Sequence, residues 1–197
     1  MIQAVEKRRS VRKYLNKEIS EQDIREIIKS GIQAPSAKNR QPWKFVVVQG
    51  NAKSEMLKAF NRGINREENG IALLPESQKY IESAKHTIKI LEQSPVVIFA
   101  VNPLGKGFFK GTTPEERIYD VCNIQSISAA IQNIILEATE MGIGSLWVCD
   151  IFFAYQELSE WLNVGGELLA AVALGYPDES PDARPRKQVD KVVEWRY

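Results

Sequence analysis

The chain has 197 residues, 44% of them hydrophobic, which fits one domain, residues 1–197, with a substantial core. Its 26 Lys and Arg residues nearly balance 25 Asp and Glu, giving a net charge of +1, so an overall field that attracts nucleic acid is not expected. The first ten residues lack the apolar run of a signal peptide, and the apolar stretch at 95–101 is too short to cross a bilayer. We therefore expect a cytoplasmic protein with neither a membrane nor a nucleic acid as partner.

In the first half of the chain, hydrophobic spacing predicts helices and strands without regular alternation. Ser20 begins a sequence that resembles a capping box, and isoleucines follow at helical spacing, so we expect a helix that ends near Gly31. The other predicted elements are a short helix at 2–8, a strand at 44–48, a helix at 52–61, a poorly periodic segment at 62–93 that becomes helical from about Pro75, and a strand at 95–101.

A long helix dominates the second half. A glycine-rich aromatic loop at 105–111 precedes Thr113, which is expected to cap this helix with Pro114 at its first position. Apolar residues cover a wide arc up to Met141, which predicts heavy burial, and Gly142 is a natural stop. Further predictions are strands at 145–151 and 168–175, a helix at 156–162, and a tail at 188–195 that forms an edge strand or one donated to a neighbouring subunit.

The most basic segment is 7–13, in which five of seven residues are Lys or Arg. Three guanidinium groups and the Ser10 hydroxyl close together suit a phosphate, which offers several acceptor oxygens and nearly two negative charges. A solvated basic surface or a nucleic-acid patch is the alternative. A second basic set, at 184–187, follows the last predicted strand and is, by itself, a loop with surface charge.

Two further segments are candidate ligand contacts. The loop at 34–43 lies between a helix and a strand, where backbone amides and short polar side chains are free to meet a ligand, although a plain turn explains it equally well. The glycines of 142–150 follow a helix and precede a strand, the reverse of a Rossmann phosphate loop, so they disfavour a dinucleotide fold. They also suit close packing of a helix on a sheet.

Other chemistries have little support. His86 is the only histidine and has no Cys or carboxylate at ligand spacing, so we expect neither a metal site nor a histidine-based nucleophile. Cys122 and Cys149 are expected to be reduced, with Cys122 a small core residue. Redox chemistry would therefore need a borrowed cofactor.

Taken together, the motifs resemble those of the nitroreductase family of FMN-dependent oxidoreductases, in the family's order and over almost the whole chain. They are Arg8–Arg12 (RRSVR), 34–43 (APSAKNRQPW), 142–147 (GIGSLW) and 173–177 (ALGYP) followed by 184–187 (RPRK). The resemblance implies an α+β fold: a nitroreductase-like three-layer sandwich with a mainly antiparallel sheet flanked by helices. It also implies an obligate homodimer with two FMN sites at the subunit interface.

The resemblance assigns cofactor-binding residues to both subunits. From one subunit, the FMN phosphate and ring edge are held by Arg8, Arg9, Ser10 and Arg12, joined at the phosphate by Arg186 with Arg184. From the other subunit, the flavin is approached by Pro35, Ser36, Ala37 and Asn39. The residues expected along the isoalloxazine are Trp147, Val148, Cys149 and Asp150, with the backbone donor to flavin N5 left open. Segment 62–90 matches no family pattern, and such segments usually shape the substrate pocket.

The implied activity is a ping-pong cycle in which NADH or NADPH delivers hydride to FMN, leaves, and is replaced by a small electrophilic acceptor such as a nitroaromatic or a quinone. The flavin carries the chemistry, so no catalytic side chain is expected. Same-fold alternatives are a dehalogenase, an enone reductase or a flavin-fragmenting enzyme. A non-enzymatic FMN or nucleotide carrier and a small nucleic-acid-binding module are alternatives of other classes.

Overall fold

A computed structural model describes residues 1–108, 111 and 113–197 of the chain. Within these residues, the helices are Gln3–Lys7 (α1), Glu21–Gly31 (α2), Ala52–Asn69 (α3), Ile81–Gln93 (α4), Pro114–Glu140 (α5) and Tyr155–Leu162 (α6). The strands are Lys44–Gln49 (β1), Val96–Asn102 (β2), Gly144–Val148 (β3) and Glu167–Gly175 (β4). Short 3-10 helices occupy Ala37–Asn39, Pro75–Tyr80, Asp150–Ala154 and Val189–Lys191.

The four strands form one antiparallel sheet in the order β1-β2-β4-β3. All seven residues of β2 are buried, because this central strand is covered on both faces. Its side chains alternate between two hydrophobic clusters. Val97, Phe99 and Val101 point to one cluster, and Val96, Ile98 and Ala100 point to the other.

Helices cover both faces of the sheet. One cluster joins the sheet to α3, α4, α6 and the 3-10 helix Asp150–Ala154, and the other joins it to α2 and α5. The three-layer α+β sandwich with an antiparallel sheet is therefore confirmed. None of the helices in the described part of the chain combines the length and the apolar character needed to cross a membrane.

The predicted helix boundaries at α2 and α5 are also confirmed. The Ser20 side chain accepts the backbone N–H of Asp23 at 3.0 Å, which caps α2. At α5, the Thr113 hydroxyl accepts the N–H of Glu116 and the Glu116 carboxylate accepts the N–H of Thr113 at 2.9 Å, a complete capping box. After α5, Gly142 adopts a φ of +71°, a left-handed conformation that favours glycine.

The prediction that the helix beginning at residue 52 ends at residue 61 is wrong, because α3 continues to Asn69. Tertiary contacts support this polar extension. The Arg66 guanidinium bonds to Glu157 of α6 at 2.7 Å, and the buried Glu67 carboxylate accepts the backbone N–H of Leu73 at 3.0 Å and of Leu74 at 3.2 Å. These partners are distant in sequence or lie beyond the helix, so hydrophobic spacing does not reveal them.

Other differences concern the second half of the chain. The strand predicted at 145–151 ends at Val148, and a 3-10 helix follows from Asp150. The tail forms a 3-10 turn at Val189–Lys191 and no edge strand on the sheet of its own chain, while its exchange with a neighbouring subunit stays a prediction. Both cysteines are free, but Cys122 is half-buried rather than part of the core.

The buried carboxyl of Glu167 makes stability depend on pH. Glu167 begins β4 and is 7% exposed; burial, and secondly the charge of Asp120, raise the pKa of its carboxyl, against smaller lowering effects of Asn102 and Arg117. A carboxyl whose pKa is higher in the folded than in the unfolded state stabilises the fold when protonated, and this contribution is lost as the pH rises through the folded pKa.

We therefore expect Glu167→Gln to raise the free energy of unfolding at pH 7 by about 1 kcal/mol, and the advantage to shrink at pH 4. Urea denaturation of both proteins at the two pH values measures this. A gain of equal size at both pH values would show that the carboxyl's ionisation is not its cause.

Candidate functional site

Ser10 and Val11 lie along the outer edge of β3. The N–H of Val11 donates to the Ser145 carbonyl at 3.0 Å, and Ser10 forms a parallel bridge with Ser145. Gly144 allows this approach, since a Cβ there would lie 2.9 Å from the Val11 side chain. The buried Tyr14 hydroxyl donates to the Val11 carbonyl at 2.8 Å and fixes the turn that follows. The basic segment is thus anchored to the sheet.

The chain that leaves β4 returns to the same segment. The N–H of Leu15 donates to the Tyr176 carbonyl at 2.9 Å, and the N–H of Asp178 donates to the Lys13 carbonyl at 2.9 Å. The Glu179 carboxylate accepts the backbone N–H of Arg12 at 2.5 Å. These contacts hold the basic set after β4 beside the first basic segment, although the two are more than 160 residues apart in sequence.

A cavity of about 410 Å³, which we call the arginine cavity, opens between these two segments. Six of the predicted cofactor-binding residues line it: Arg8, Arg9, Ser10, Arg12, Arg184 and Arg186. Two carboxylates, Glu6 and Asp182, also line it, so positive charge exceeds negative charge by three (five minus two).

The guanidinium groups of the arginine cavity bond mainly to backbone carbonyls. Arg9 donates to the Glu6 and Arg8 carbonyls at 2.7 and 2.8 Å, Arg12 donates to the Ser10 carbonyl at 3.1 Å, and Arg186 donates to the Arg184 carbonyl at 3.2 Å. Among the described residues, no side-chain ion pair involves these arginines. Because their charge is not neutralised by ion pairs, the cavity suits a multiply charged anion such as a phosphate ester.

The predicted loop residues lie elsewhere in the chain. The loop that contains Pro35, Ser36, Ala37 and Asn39 packs on α5, where the N–H of Ala37 donates to the Ser126 hydroxyl at 3.3 Å. The Ser36 hydroxyl accepts the N–H of Gln41 at 3.0 Å, and Lys38 and Asn39 have φ values of 53° and 52°. None of 35–39 lines the arginine cavity of the same chain.

The residues predicted along the flavin ring end β3 and point in different directions. Trp147 packs on the side of α2 and α5, and Val148 on the side of α3, α4 and α6. Asp150 accepts a hydrogen bond from the Thr87 hydroxyl of α4 at 2.6 Å. Burial, and secondly the charge of Asp150, raise the pKa of the Cys149 thiol, so Cys149 is a neutral thiol at pH 7.

Cys149 and Asp150 line a second cavity of about 380 Å³, which we call the aromatic cavity. Sequence reasoning missed its other lining residues: Leu74, Ser77, Tyr80, Ser83, Phe108, Phe152 and Phe153. Four of these belong to segment 62–90. The resemblance implied that this segment shapes a substrate pocket, but it named no residue of the segment. The paired phenylalanines Phe152 and Phe153, one residue beyond the Cys-Asp sequence, were an available signal.

No group of His, Cys, Asp and Glu in the described part of the chain could hold a metal ion. His86 is exposed on α4 and lines neither cavity. The described residues thus form a three-layer α+β sandwich with an arginine-lined cavity at its sheet edge and an aromatic cavity at the end of β3.

Comparison with known proteins identifies its family. A model of the Nitroreductase family matches residues 5–176. An Archaeoglobus fulgidus protein provisionally named NADH dehydrogenase/NAD(P)H nitroreductase is 32% identical over 179 residues, covering 89% of this chain and 84% of the relative. The chain therefore belongs to the nitroreductase family.

Solved structures agree on the fold. The BluB-like flavoprotein of Clostridium difficile 630 is 28% identical, with a TM-score of 0.73, over 99% of this chain and 98% of that one. A point mutant of the FMN and NADPH-dependent nitroreductase NfnB from Sphigopyxis sp. strain HMH is 19% identical, with a TM-score of 0.76 and the same two coverages.

Proposed function

We propose that this chain is an FMN-dependent oxidoreductase that passes hydride from NADH or NADPH to a small electrophilic acceptor, such as a nitroaromatic or a quinone, by a ping-pong mechanism. The observation that carries the proposal is the convergence of Arg8, Arg9 and Arg12 with Arg184 and Arg186 on one cavity. Family membership and the flavoprotein relatives support the choice of FMN as the phosphate ester.

The residues of the arginine cavity fit the phosphate of FMN. Arg8 and Arg186 approach it from the two segments, and the Ser10 hydroxyl adds a neutral donor. Arg12, which donates to the Ser10 carbonyl, is the proposed source of positive charge at the pyrimidine edge of the ring. Backbone amides from Trp147 to Asp150 are the proposed donors to the ring.

When bound, FMN supplies the two-electron chemistry, taking hydride from the nicotinamide and giving it to the acceptor in separate half-reactions. The protein's part is to orient the ring and both partners and to place charge beside it. Its neutral Cys149 thiol is not an activated nucleophile, which agrees with a mechanism that needs no covalent bond to the protein.

We further propose that the working unit is a homodimer in which residues 35–39 of one chain complete the site of the other. This loop does not line the arginine cavity of its own chain, so a second chain is the natural source of that contact. Apolar side chains also lie exposed on α5 and the tail, with Ile118 at 62%, Val192 at 63% and Trp195 at 69% exposure. Large exposed apolar residues of this kind mark protein interfaces.

The proposal is tested with the purified protein under anaerobic conditions. We expect a yellow dimer whose flavin absorbance bleaches on addition of NADH or NADPH and returns on addition of a quinone or a nitroarene. Recovery with one specialised acceptor alone would favour a dehalogenase or an enone reductase of the same fold. A colourless monomer that takes up no FMN from an excess would contradict the proposal.

A further inference from the structure

The aromatic cavity combines apolar walls with a single charge. The Phe108 ring lies 5.2 Å from the Phe152 ring, measured between centroids, and Phe152 stacks on Tyr155 at 6.2 Å. Aromatic side chains at these separations offer flat surfaces on which a planar ligand ring can stack. The volume of about 380 Å³ is within the range of small-molecule sites.

Asp150 provides the charge. Of the described residues that line the cavity, Asp150 alone is ionisable to a carboxylate, and none carries a positive charge. The nearby Lys79 does not line the cavity; its ammonium lies 5.1 Å from the centroid of the Tyr80 ring. Among the residues that the structure describes, the cavity therefore has an acidic wall and no cation.

The orientation of Asp150 is fixed from outside the cavity. The Thr87 hydroxyl, on a residue that is 7% exposed, donates to Oδ2 at 2.6 Å. The other oxygen, Oδ1, accepts no hydrogen bond from the residues that the structure describes. A carboxylate held in this way presents one free acceptor oxygen beside the aromatic walls, where a ligand's cationic donor would form a charge-assisted hydrogen bond.

We propose that the aromatic cavity binds the ring of the acceptor and that Asp150 selects acceptors whose ring carries a cationic substituent. This inference rests on the proposed function, because it makes the cavity the acceptor's part of that site. Asp150 is a specificity-determining residue here, and Thr87 is the residue that positions it.

Three nitroarenes with one ring and different charges test this: 4-nitrobenzylamine, 4-nitrobenzyl alcohol and 4-nitrobenzoate. With the FMN-loaded protein and saturating NADH at pH 7, we expect kcat/KM for the amine to exceed that for the benzoate by about tenfold, mainly through KM. In Asp150→Asn this ratio should fall towards one. Equal kcat/KM for the amine and the benzoate in the wild-type protein would overturn the proposal, as would an unchanged ratio in Asp150→Asn.

Positioning by Thr87 is tested separately. Thr87→Val should reduce the amine-to-benzoate ratio in the same direction as Asp150→Asn, and Thr87→Ser, which keeps the hydroxyl, should restore it. If Asp150→Asn does not fold, the Thr87 pair decides the outcome: equal ratios in both Thr87 variants would count against the proposal. Glu76→Gln, which removes an exposed carboxylate outside the cavity, should keep the wild-type ratio.

A binding measurement separates this inference from the proposed function. Calorimetry with benzylamine and benzoate, which cannot be reduced, should show tighter binding of benzylamine by about tenfold in the wild-type protein and not in Asp150→Asn. The same titration with flavin-free protein shows whether the cavity binds a cationic ring even if FMN is not the cofactor. Failure of flavin loading with this selectivity intact would refute the proposed function alone.

Discussion

Replacing Arg186 with alanine is expected to weaken FMN binding by about ten- to a hundredfold, because a charge-assisted hydrogen bond contributes roughly 1.5–3 kcal/mol and 1.36 kcal/mol corresponds to a factor of ten. Arg8→Ala should have the same effect from the other side of the arginine cavity. Titration of flavin-free protein with FMN, followed by flavin fluorescence, measures both.

Arg196→Ala is the matched control, because Arg196 pairs with Glu194 in the tail and does not line the cavity. If both variants bound FMN about as tightly as the wild-type protein, the assignment of the phosphate to the arginine cavity would be wrong.

The same variant tests whether the site is shared between chains. Ser36→Asp places a negative charge on the loop proposed to approach the partner's flavin, so its homodimer should also bind FMN poorly. A mixed dimer of Arg186→Ala and Ser36→Asp chains has one site with both residues intact and one with both changed. About half of the wild-type FMN content is therefore expected in the mixed dimer. No recovery on mixing, with dimers verified, would show that both residues serve a site within one chain.

Replacing Gly63 with alanine is expected to lower the free energy of unfolding by about 3 kcal/mol, the upper part of the range for overpacking a buried contact. Gly63 lies in α3 against the 3-10 helix that follows β3, and a Cβ there would lie 2.3 Å from the Ala154 Cβ and 2.4 Å from the Ala154 Cα. A backbone atom cannot rotate away as the end of a flexible side chain can. In the variant, α3 and the 3-10 helix Asp150–Ala154 must therefore move apart.

Urea denaturation at one fixed protein concentration measures this loss, because the stability of the proposed dimer would depend on concentration. Gly165→Ala is the control, since no atom lies within 4 Å of the added Cβ, and its effect should stay within about 0.5 kcal/mol. Equal denaturation midpoints for Gly63→Ala and the control would mean that α3 and Ala154 are not in such close contact.

Local signals predicted much of the fold. The Ser20 and Thr113 caps fixed where α2 and α5 begin, since each depends on residues within one turn. The apolar run at 95–101 predicted a strand, and β2 occupies Val96–Asn102. The extension of α3 beyond residue 61 was not predictable, because the ion pair from Arg66 to Glu157 spans 91 residues.

The candidate site, like the fold, could be predicted from the sequence only in part. Arginines on both sides of the arginine cavity were recognised from their residue types and from the family motifs. The assignment of the Ser36 loop to the other subunit came from the family resemblance alone, because no local pattern states which chain a loop serves. The aromatic cavity was missed, since it joins the 3-10 helix Pro75–Tyr80, the loop at Phe108 and the end of β3, three segments that meet only in the folded chain.

The pairing of Ser10 and Val11 with β3 bears on how the protein is best handled. This segment occupies the outer side of β3, where Val11 bonds to Ser145, and an uncovered strand edge is a template on which another molecule can pair. The stretch that borders the arginine cavity thus also shields the sheet from edge-to-edge association. We therefore expect a ligand that holds this stretch in place to reduce such association, so phosphate or the cofactor in the purification buffer should help to keep the protein in solution.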